Sequence, residues 1–187
     1  MECRIFREPD FHVTSWSGGK TKELFISPAD SSYGRRDFDI RISSATVETE
    51  ESLFTNLPGI DRLLIVLKGN IRISHGDEPF HDLPPFQGDS FTGEEVTRSR
   101  GRCIDFNVMV RRGSCRSLEH CVLSRFPASV EGTGGKLFLY AARGTFEIKS
   151  GSETEILKAG ELFYAENAKT FYAHAVEPGT LIQLSIS

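Results

Sequence analysis

The sequence lacks the compact motifs that usually announce a metal centre or a covalent catalyst. It has five histidines and four cysteines in 187 residues, but none of the histidines are in His-x-His spacing and none of the cysteines in CxxC spacing. These absences argue against a clustered transition-metal site and against a zinc site. No Ser/His/Asp or Cys/His nucleophile arrangement is evident either. We therefore predict a protein without a bound metal or cofactor.

Long apolar runs and blocks of basic residues are also missing. No apolar stretch approaches the roughly 20 residues that a membrane-spanning helix needs, and the formal net charge is -4. Both features disfavour membrane insertion and nucleic-acid binding. The N-terminal residues lack the basic-then-apolar pattern of a signal peptide, and the scattered cysteines do not suggest a disulfide framework. These absences predict a cytoplasmic protein.

What the sequence does contain is strand and turn signals. Fourteen phenylalanines, 17 glycines and 8 prolines favour strands separated by turns over helices. The nearly continuous apolar run 60–67 lies between turn signals at 58–59 and 68–70, which indicates a strand buried on both faces. The alternating stretch 71–74 predicts the second strand of a hairpin with that run.

The second half of the chain repeats these features. The stretch 137–148 matches the predicted hairpin, with Gly144 in the place of Gly69, and Gly160-Glu161 corresponds to Gly88-Asp89. A repeat of this size, made of strands and turns, predicts two tandem β-sandwich or barrel units.

Several predicted strands of the first half place polar residues opposite an apolar face. The polar residues set in this way are Glu23, Arg41, Ser43, Asp105 and Asn107. At the start of the buried strand stand Asp61 and Arg62, and burying a charge is costly unless it is paired or bound to something. Two interpretations are open: the polar faces line a ligand-binding lumen, or they face solvent with Asp61 and Arg62 as an ion pair at the rim.

Three further positions matter for the site. Trp16, the only tryptophan, is either a wall of a pocket or an anchor of the core or rim. Phe54 is suited to anchor the acidic loop in which it lies. In the stretch 19–26 the pattern predicts a turn followed by a strand, with Leu24 and Ile26 on one face and Glu23 on the other.

The motifs of residues 16–112 resemble the HutD family, also called HutD/Ves. The matching segments are Trp16 with Gly19-Lys20-Thr21-Lys22-Glu23, Phe38 to Ser43, Phe54, Leu57 to Arg62, and Asp105 to Met109. The order of strand, glycine turn, strand and Gly-Asp or Gly-Glu turn also resembles the cupin core, and two such units resemble a bicupin.

The resemblance implies an all-β bicupin with two tandem cupin-like antiparallel β-barrels of the jelly-roll type. We expect residues 1–115 to form an N-terminal barrel with the candidate pocket and residues 116–187 to form a second barrel, with exchange of strands between the halves allowed. The family is associated by name with histidine utilisation. The strands of the first half offer no histidine or tyrosine inside the barrel as a catalytic base, so binding is favoured over catalysis.

Three functions from different classes remain open. The first is a ligand-binding or regulatory bicupin that senses a small anion, such as a carboxylate from histidine breakdown. The second is a metal-independent isomerase or hydrolase of a related metabolite, and the third is a scaffold whose halves mediate a homodimer. The residues expected to bind a carboxylate ligand are Trp16, Glu23, Arg41, Ser43, Phe54, Asp61, Arg62, Asp105 and Asn107.

Overall fold

The computed structural model describes residues 3–132, 134–167 and 170–187, and nearly all regular structure in them is β-strand. Its first eleven strands are β1 Cys3–Phe6, β2 His12–Trp16, β3 Gly19–Ser27, β4 Ile40–Val47, β5 Glu51–Leu53, β6 Ile60–Lys68, β7 Ile71–His75, β8 His81–Leu83, β9 Gly88–Thr92, β10 Thr97–Arg100 and β11 Cys103–Arg111. The remaining strands are β12 Leu118–Leu123, β13 Ala128–Glu131, β14 Lys136–Arg143, β15 Thr145–Ser150, β16 Glu153–Lys158, β17 Leu162–Glu166, β18 Thr170–Ala175 and β19 Thr180–Ile186. A short 3-10 helix, Glu8–Asp10, follows β1.

The chain divides into two compact units. The first unit is Phe11–Ser114, and the second unit combines Cys115–Ser187 with the N-terminal stretch that ends at Asp10. Strand β1 belongs to the second unit because it pairs antiparallel with β17. Over the part of the chain that the structure describes, no helix is long and apolar enough to cross a membrane.

In the first unit, two antiparallel sheets face each other. The larger has the strand order β2-β3-β4-β11-β6-β9 and the smaller the order β5-β10-β7-β8. Buried side chains from both sheets form one apolar cluster between them, including Leu64 and Val66 of the larger sheet and Ile71, Ile73 and Leu83 of the smaller. We call the face of the larger sheet that carries Leu64 and Val66 the interior face.

The second unit repeats this arrangement. Its sheets have the orders β1-β17-β14-β19-β12 and β13-β18-β15-β16, so β17-β14-β19-β12 corresponds to β9-β6-β11-β4. Even an irregularity recurs, because the register shifts between Ile104 and Asp105 in the first unit and between Ala141 and Arg143 in the second. Each unit is a jelly roll of two facing sheets, which do not close into a single hydrogen-bonded barrel.

The strands of the central stretch lie where the sequence predicts them, but the predicted hairpin between them is wrong. Strand β6 pairs with β11 and β9, whereas β7 pairs with β10 and β8. The chain therefore crosses from one sheet to the other at Gly69, whose φ is 90°. Gly144 makes the same crossing in the second unit with a φ of 82°. Residues that carry a side chain rarely adopt this backbone conformation, which explains why glycine stands at both turns.

Substitution of the turn glycine should be costly. A Cβ at Gly69 would lie 2.4 Å from the carbonyl oxygen of Arg102, in addition to the unfavourable φ. We expect Gly69→Ala to lower the free energy of unfolding by roughly 1–3 kcal/mol, measured by urea denaturation. Gly34→Ala is the matched control, because no atom lies within 4 Å of a Cβ there. Equal stability of the two variants would contradict the structural role of this turn.

Candidate functional site

The larger sheet of the first unit brings polar residues of four strands onto its interior face. Residues that oppose each other in neighbouring strands share a face. Across β3, β4 and β11, for example, Glu23, Ser43 and Asn107 form one row, and Leu64 continues that row on β6. The polar residues that share the face in this way are Glu23, Arg41, Ser43, Arg62, Asp105 and Asn107. The period-two alternation of the sequence thus leads to a shared interior surface, which we call the polar cluster.

Arg41 is the best-satisfied member of the polar cluster. It is 6% exposed, its Nε donates to Glu23 Oε2 at 2.6 Å, and its Nη1 donates to Ser43 Oγ at 3.2 Å. The guanidinium also lies 4.5 Å from the ring centroid of Tyr33, a favourable cation–π distance. Arg41 is therefore held in one place by an ion pair, a hydroxyl and an aromatic ring.

Arg62 has far weaker hydrogen-bond partners than Arg41. Its guanidinium lies 5.0 Å and 5.1 Å from the ring centroids of Phe54 and Phe91, and Nη1 reaches the carbonyl oxygen of Thr55 only at 3.5 Å. Its Nε is buried without a hydrogen-bond partner in the structure. Burial lowers the pKa of Arg62 to about 10, an effect that the nearby Asp105 partly opposes. The side chain is thus a cation at neutral pH with unused donor capacity.

Asp105 and Asn107 complete the cluster on β11. Burial raises the pKa of Asp105 to about 7, although the Ala45 N–H donates to its Oδ1 at 3.3 Å and Arg62 attracts its charge. Asn107 is 7% exposed, and its Oδ1 has no partner in the structure. A buried unpaired polar atom costs free energy, so Arg62 and Asn107 mark the place where a ligand would be complementary.

Two of the residues predicted for the site lie apart from the polar cluster. Asp61 points to the opposite face of β6 and pairs with Arg112 at 2.8 Å on the surface. Trp16 is 42% exposed on the edge strand β2, and its ring lies over Gly18. Phe54, in contrast, contacts Arg62 as a wall of the cluster.

The sequence analysis placed no histidine or tyrosine inside the first barrel, but the structure largely buries His75 there. His75 at the end of β7 has a side chain only 11% exposed, and its Nε2 lies 3.0 Å from Asp89 Oδ2. Its ring also lies 4.7 Å from that of Phe91, centroid to centroid. A histidine next to a turn signal gave no indication of burial, so the contact between β7 and β9 was invisible in the sequence.

Most members of the polar cluster are buried, since Arg41, Ser43, Arg62, Asp105 and Asn107 are each at most 7% exposed. Two surface depressions are lined by other residues, including Phe80 and Arg98 in the first unit and Phe126 in the second. Among the described residues, no group of three or more His, Cys, Asp and Glu side chains is arranged to hold a metal ion. The chemistry that the cluster offers is thus that of two guanidiniums, a carboxylate of raised pKa and an amide.

Comparison with known proteins agrees with this architecture. The HutD family model matches residues 8–182. Protein Ves of Escherichia fergusonii is 31% identical over 122 residues, which are 63% of this chain and 61% of that protein; the match thus spans about three fifths of the curated relative.

Solved structures show the same fold over the whole chain. A conserved protein of unknown function from Pseudomonas aeruginosa PAO1 aligns over 100% of both chains with a TM-score of 0.87 and 24% identity. HutD from Pseudomonas fluorescens SBW25, solved in a formate condition, aligns over 100% of both chains with a TM-score of 0.78 and 20% identity.

Enzymes of the cupin type share the fold at greater distance. Oxalate decarboxylase from Lactobacillus farciminis, solved as a formate complex, has a TM-score of 0.69 and 10% identity, and the alignment covers 96% of this chain and 84% of that one. The predicted jelly-roll bicupin fold and the family resemblance are both confirmed. The chain belongs to the HutD family.

Proposed function

We propose that the chain is a metal-independent bicupin that binds a small anionic metabolite, a carboxylate, in a regulatory or accessory role. The single observation that carries the proposal is Arg62, a buried cation whose Nε has no hydrogen-bond partner. A guanidinium keeps its charge and can hold both oxygens of a carboxylate in a bidentate geometry. Arg41, in the same row of the sheet, adds a second positive charge.

The energetics favour a functional role for Arg62 over a structural one. Its contact with the Thr55 carbonyl oxygen is at the outer limit of a hydrogen bond, while burial of the charge is unfavourable enough to depress its pKa. Replacing such a group by an apolar side chain of similar volume is often neutral or stabilising. A carboxylate ligand would supply the missing acceptor and offset the cost of desolvation.

The relatives support a carboxylate as the ligand class. The Pseudomonas fluorescens HutD structure was solved in a formate condition, and the Lactobacillus farciminis oxalate decarboxylase structure is a formate complex. The name of the family points to histidine utilisation, so carboxylates of histidine degradation are the first compounds to test. Phe54 and Phe91 would contact the apolar part of such a ligand, and Asn107 a polar substituent.

We expect a carboxylate to stabilise the wild type and to leave Arg62→Met unaffected. Ligand at about one hundred times its Kd should add roughly 2.7 kcal/mol to the free energy of unfolding, which corresponds to a rise in Tm of about 5–10 °C for a chain of this length. The measurement is a thermal melting screen with urocanate, glutamate, formylated and formiminated glutamate, and formate. Without ligand, Arg62→Met should be as stable as the wild type or slightly more stable.

Arg112→Met is the matched control. Arg112 is an arginine of the same unit that pairs with Asp61 and Glu94 on the surface, so its loss should leave the ligand-induced shift in Tm intact. An acid that stabilises Arg62→Met as much as the wild type would place binding elsewhere. If none of the acids changes the wild-type Tm, the carboxylate proposal fails.

A metal-independent cupin enzyme is the second candidate function. It is favoured by the contact of His75 with Asp89, since an imidazole held by a carboxylate is a common acid–base element. Proton NMR of each acid that stabilises the protein, recorded before and after prolonged incubation, separates the two functions. Recovery of the unchanged acid supports binding alone, whereas new resonances that depend on the protein support catalysis.

A further inference from the structure

The two sheets of the first unit are joined beside the polar cluster by a second group of polar side chains, which we call the His–Asp group. It consists of His75 on β7, His81 on β8, Asp89 on β9 and Thr97 on β10. Nδ1 of His75 lies 2.9 Å from Thr97 Oγ1, and its Nε2 lies 3.0 Å from Asp89 Oδ2. Nε2 of His81 lies 3.5 Å from the same carboxylate oxygen.

The hydrogen bonds of the His–Asp group fix the orientation of Asp89. The hydroxyl of Thr97 donates to the carbonyl oxygen of Glu95 at 3.3 Å and also contacts His75 Nδ1, while His75 Nε2 shares a hydrogen bond with Asp89 Oδ2. Both imidazole contacts are to Oδ2; within the described residues, Oδ1 accepts no hydrogen bond from a side chain. Asp89 is therefore a positioned carboxylate with acceptor capacity left over.

The His–Asp group and Arg62 belong to the same surface. Leu64 of β6 pairs with Asp89 of β9 on one side and with Asn107 of β11 on the other. Because residues that oppose each other share a face, Asp89 is on the interior face. Arg62 lies opposite Phe91, which makes Arg62 and Asp89 diagonal neighbours, with Cα atoms about 7–8 Å apart. The ring of Phe91 contacts both the guanidinium of Arg62 and the ring of His75.

This surface therefore presents opposite polarity at two positions. At one position the buried Nε of Arg62 is a donor without a partner. At the other, Asn107 Oδ1 is a buried acceptor without a partner, and Asn107 stands in the same row as Asp89. A simple monocarboxylate would satisfy only the donor. A ligand that satisfies both needs an anionic group for the arginine and a nitrogen or hydroxyl that donates to the acceptors.

We propose that the ligand is zwitterionic, with a carboxylate that binds Arg62 and, at the end of a short carbon chain over Phe91, a cationic nitrogen that binds Asp89 and Asn107. The cationic nitrogen is an amine, an amidine or an imidazolium. The inference rests on the proposed function, because it assumes that the carboxylate binds at Arg62. It adds the His–Asp group as the second half of the site and defines the chemical class of the ligand.

The test compares three acids with the same five-carbon chain: valerate, δ-aminovalerate and glutarate. The dissociation constants are measured by isothermal titration calorimetry and supported by thermal melting. For the wild type we expect δ-aminovalerate to bind about tenfold more tightly than valerate, because it gains one charge-assisted hydrogen bond. Glutarate should bind more weakly than valerate, since its second carboxylate meets Asp89.

Two variants test whether Asp89 is responsible for the tighter binding of δ-aminovalerate. Asp89→Asn should lose the tenfold preference for the amine over valerate. Asp82→Asn, at a carboxylate of the neighbouring strand that is 87% exposed, should keep the preference. If Asp89→Asn does not fold, the order of the three acids in the wild type decides alone.

The outcomes also separate this inference from the proposed function. If valerate binds and δ-aminovalerate is no tighter, or if the preference survives in Asp89→Asn, the zwitterion is wrong while carboxylate binding stands. If none of the three acids binds the wild type, both proposals fail. Should δ-aminovalerate bind equally well to Arg62→Met, the amine is recognised without the arginine and the two-ended site is overturned.

Discussion

Arg41→Ala should lower the free energy of unfolding by about 3–5 kcal/mol, the cost typical of removing one partner of a buried ion pair. The arginine is 6% exposed, and its partner Glu23 has a side chain that is 19% exposed. Loss of the guanidinium leaves the carboxylate largely desolvated without a cation, and the hydroxyl of Ser43 and the ring of Tyr33 lose a contact as well. The measurement is urea denaturation, with the slope m unchanged from wild type.

The control for Arg41→Ala is an ion pair with the same geometry on the surface. Arg35 Nε lies 2.6 Å from Asp37 Oδ2, as Arg41 Nε does from Glu23 Oε2, but the two surface side chains are 60% and 43% exposed. Arg35→Ala should therefore cost less than about 1 kcal/mol. If both substitutions cost the same, burial does not determine the strength of these pairs.

A double variant separates the charge from the packing at this position. In Arg41→Met combined with Glu23→Gln, neither member of this pair keeps a charge, so the loss of stability should be clearly smaller than for Arg41→Ala alone. A double variant as unstable as Arg41→Ala would mean that the shape of the arginine side chain, rather than its charge, stabilises the cluster.

The second large effect concerns pH. Asp105 has a folded-state pKa of about 7, raised by burial from 3.8, so the folded state holds this proton more strongly than the unfolded state. Its contribution to stability is complete below pH of about 4 and is lost as the pH rises through about 7. Asp105→Asn removes that loss. We expect the free energy of unfolding of the variant, relative to that of the wild type, to increase by about 4 kcal/mol as the pH rises from 4 to 8.

The measurement is a series of urea denaturations of both proteins between pH 4 and pH 8. Asp82→Asn, which changes an exposed carboxylate, should follow the wild type at every pH. A constant difference in stability between Asp105→Asn and the wild type would show that this carboxylate is ionised to the same extent in the folded and unfolded states, contrary to what its burial predicts.

Much of the polar cluster followed from local patterns in the sequence. Alternation of period two is enough to set Arg41 with Ser43, and Asp105 with Asn107, because side chains of a strand alternate between two faces. The charge of Arg62 at the start of an apolar strand was an equally local signal. These predictions needed only that each strand be regular, which β4, β6 and most of β11 are.

The errors arose where the backbone departs from regularity or where distant segments meet. The register of β3 shifts between Glu23 and Phe25, so Glu23 and Ile26 lie on the same face, whereas strict alternation had separated them. A bulge of this kind has no reliable sequence signature. The change of sheet at Gly69 and the burial of His75 depend on long-range pairing of strands, which a pattern within one segment does not reveal.

The second unit shows that the jelly-roll fold does not depend on the charges of Arg62 and Asp105. When the two crossing glycines are aligned, Leu137 takes the place of Arg62, and through the shared register shift Leu181 takes the place of Asp105. Both leucines are buried in an ordinary apolar core. At these two positions the second unit builds the same strand order with hydrocarbon side chains, so it serves as a reference for the first unit. The jelly roll therefore forms with or without an arginine and an aspartate at these two positions, which indicates that the fold itself does not require the two charges.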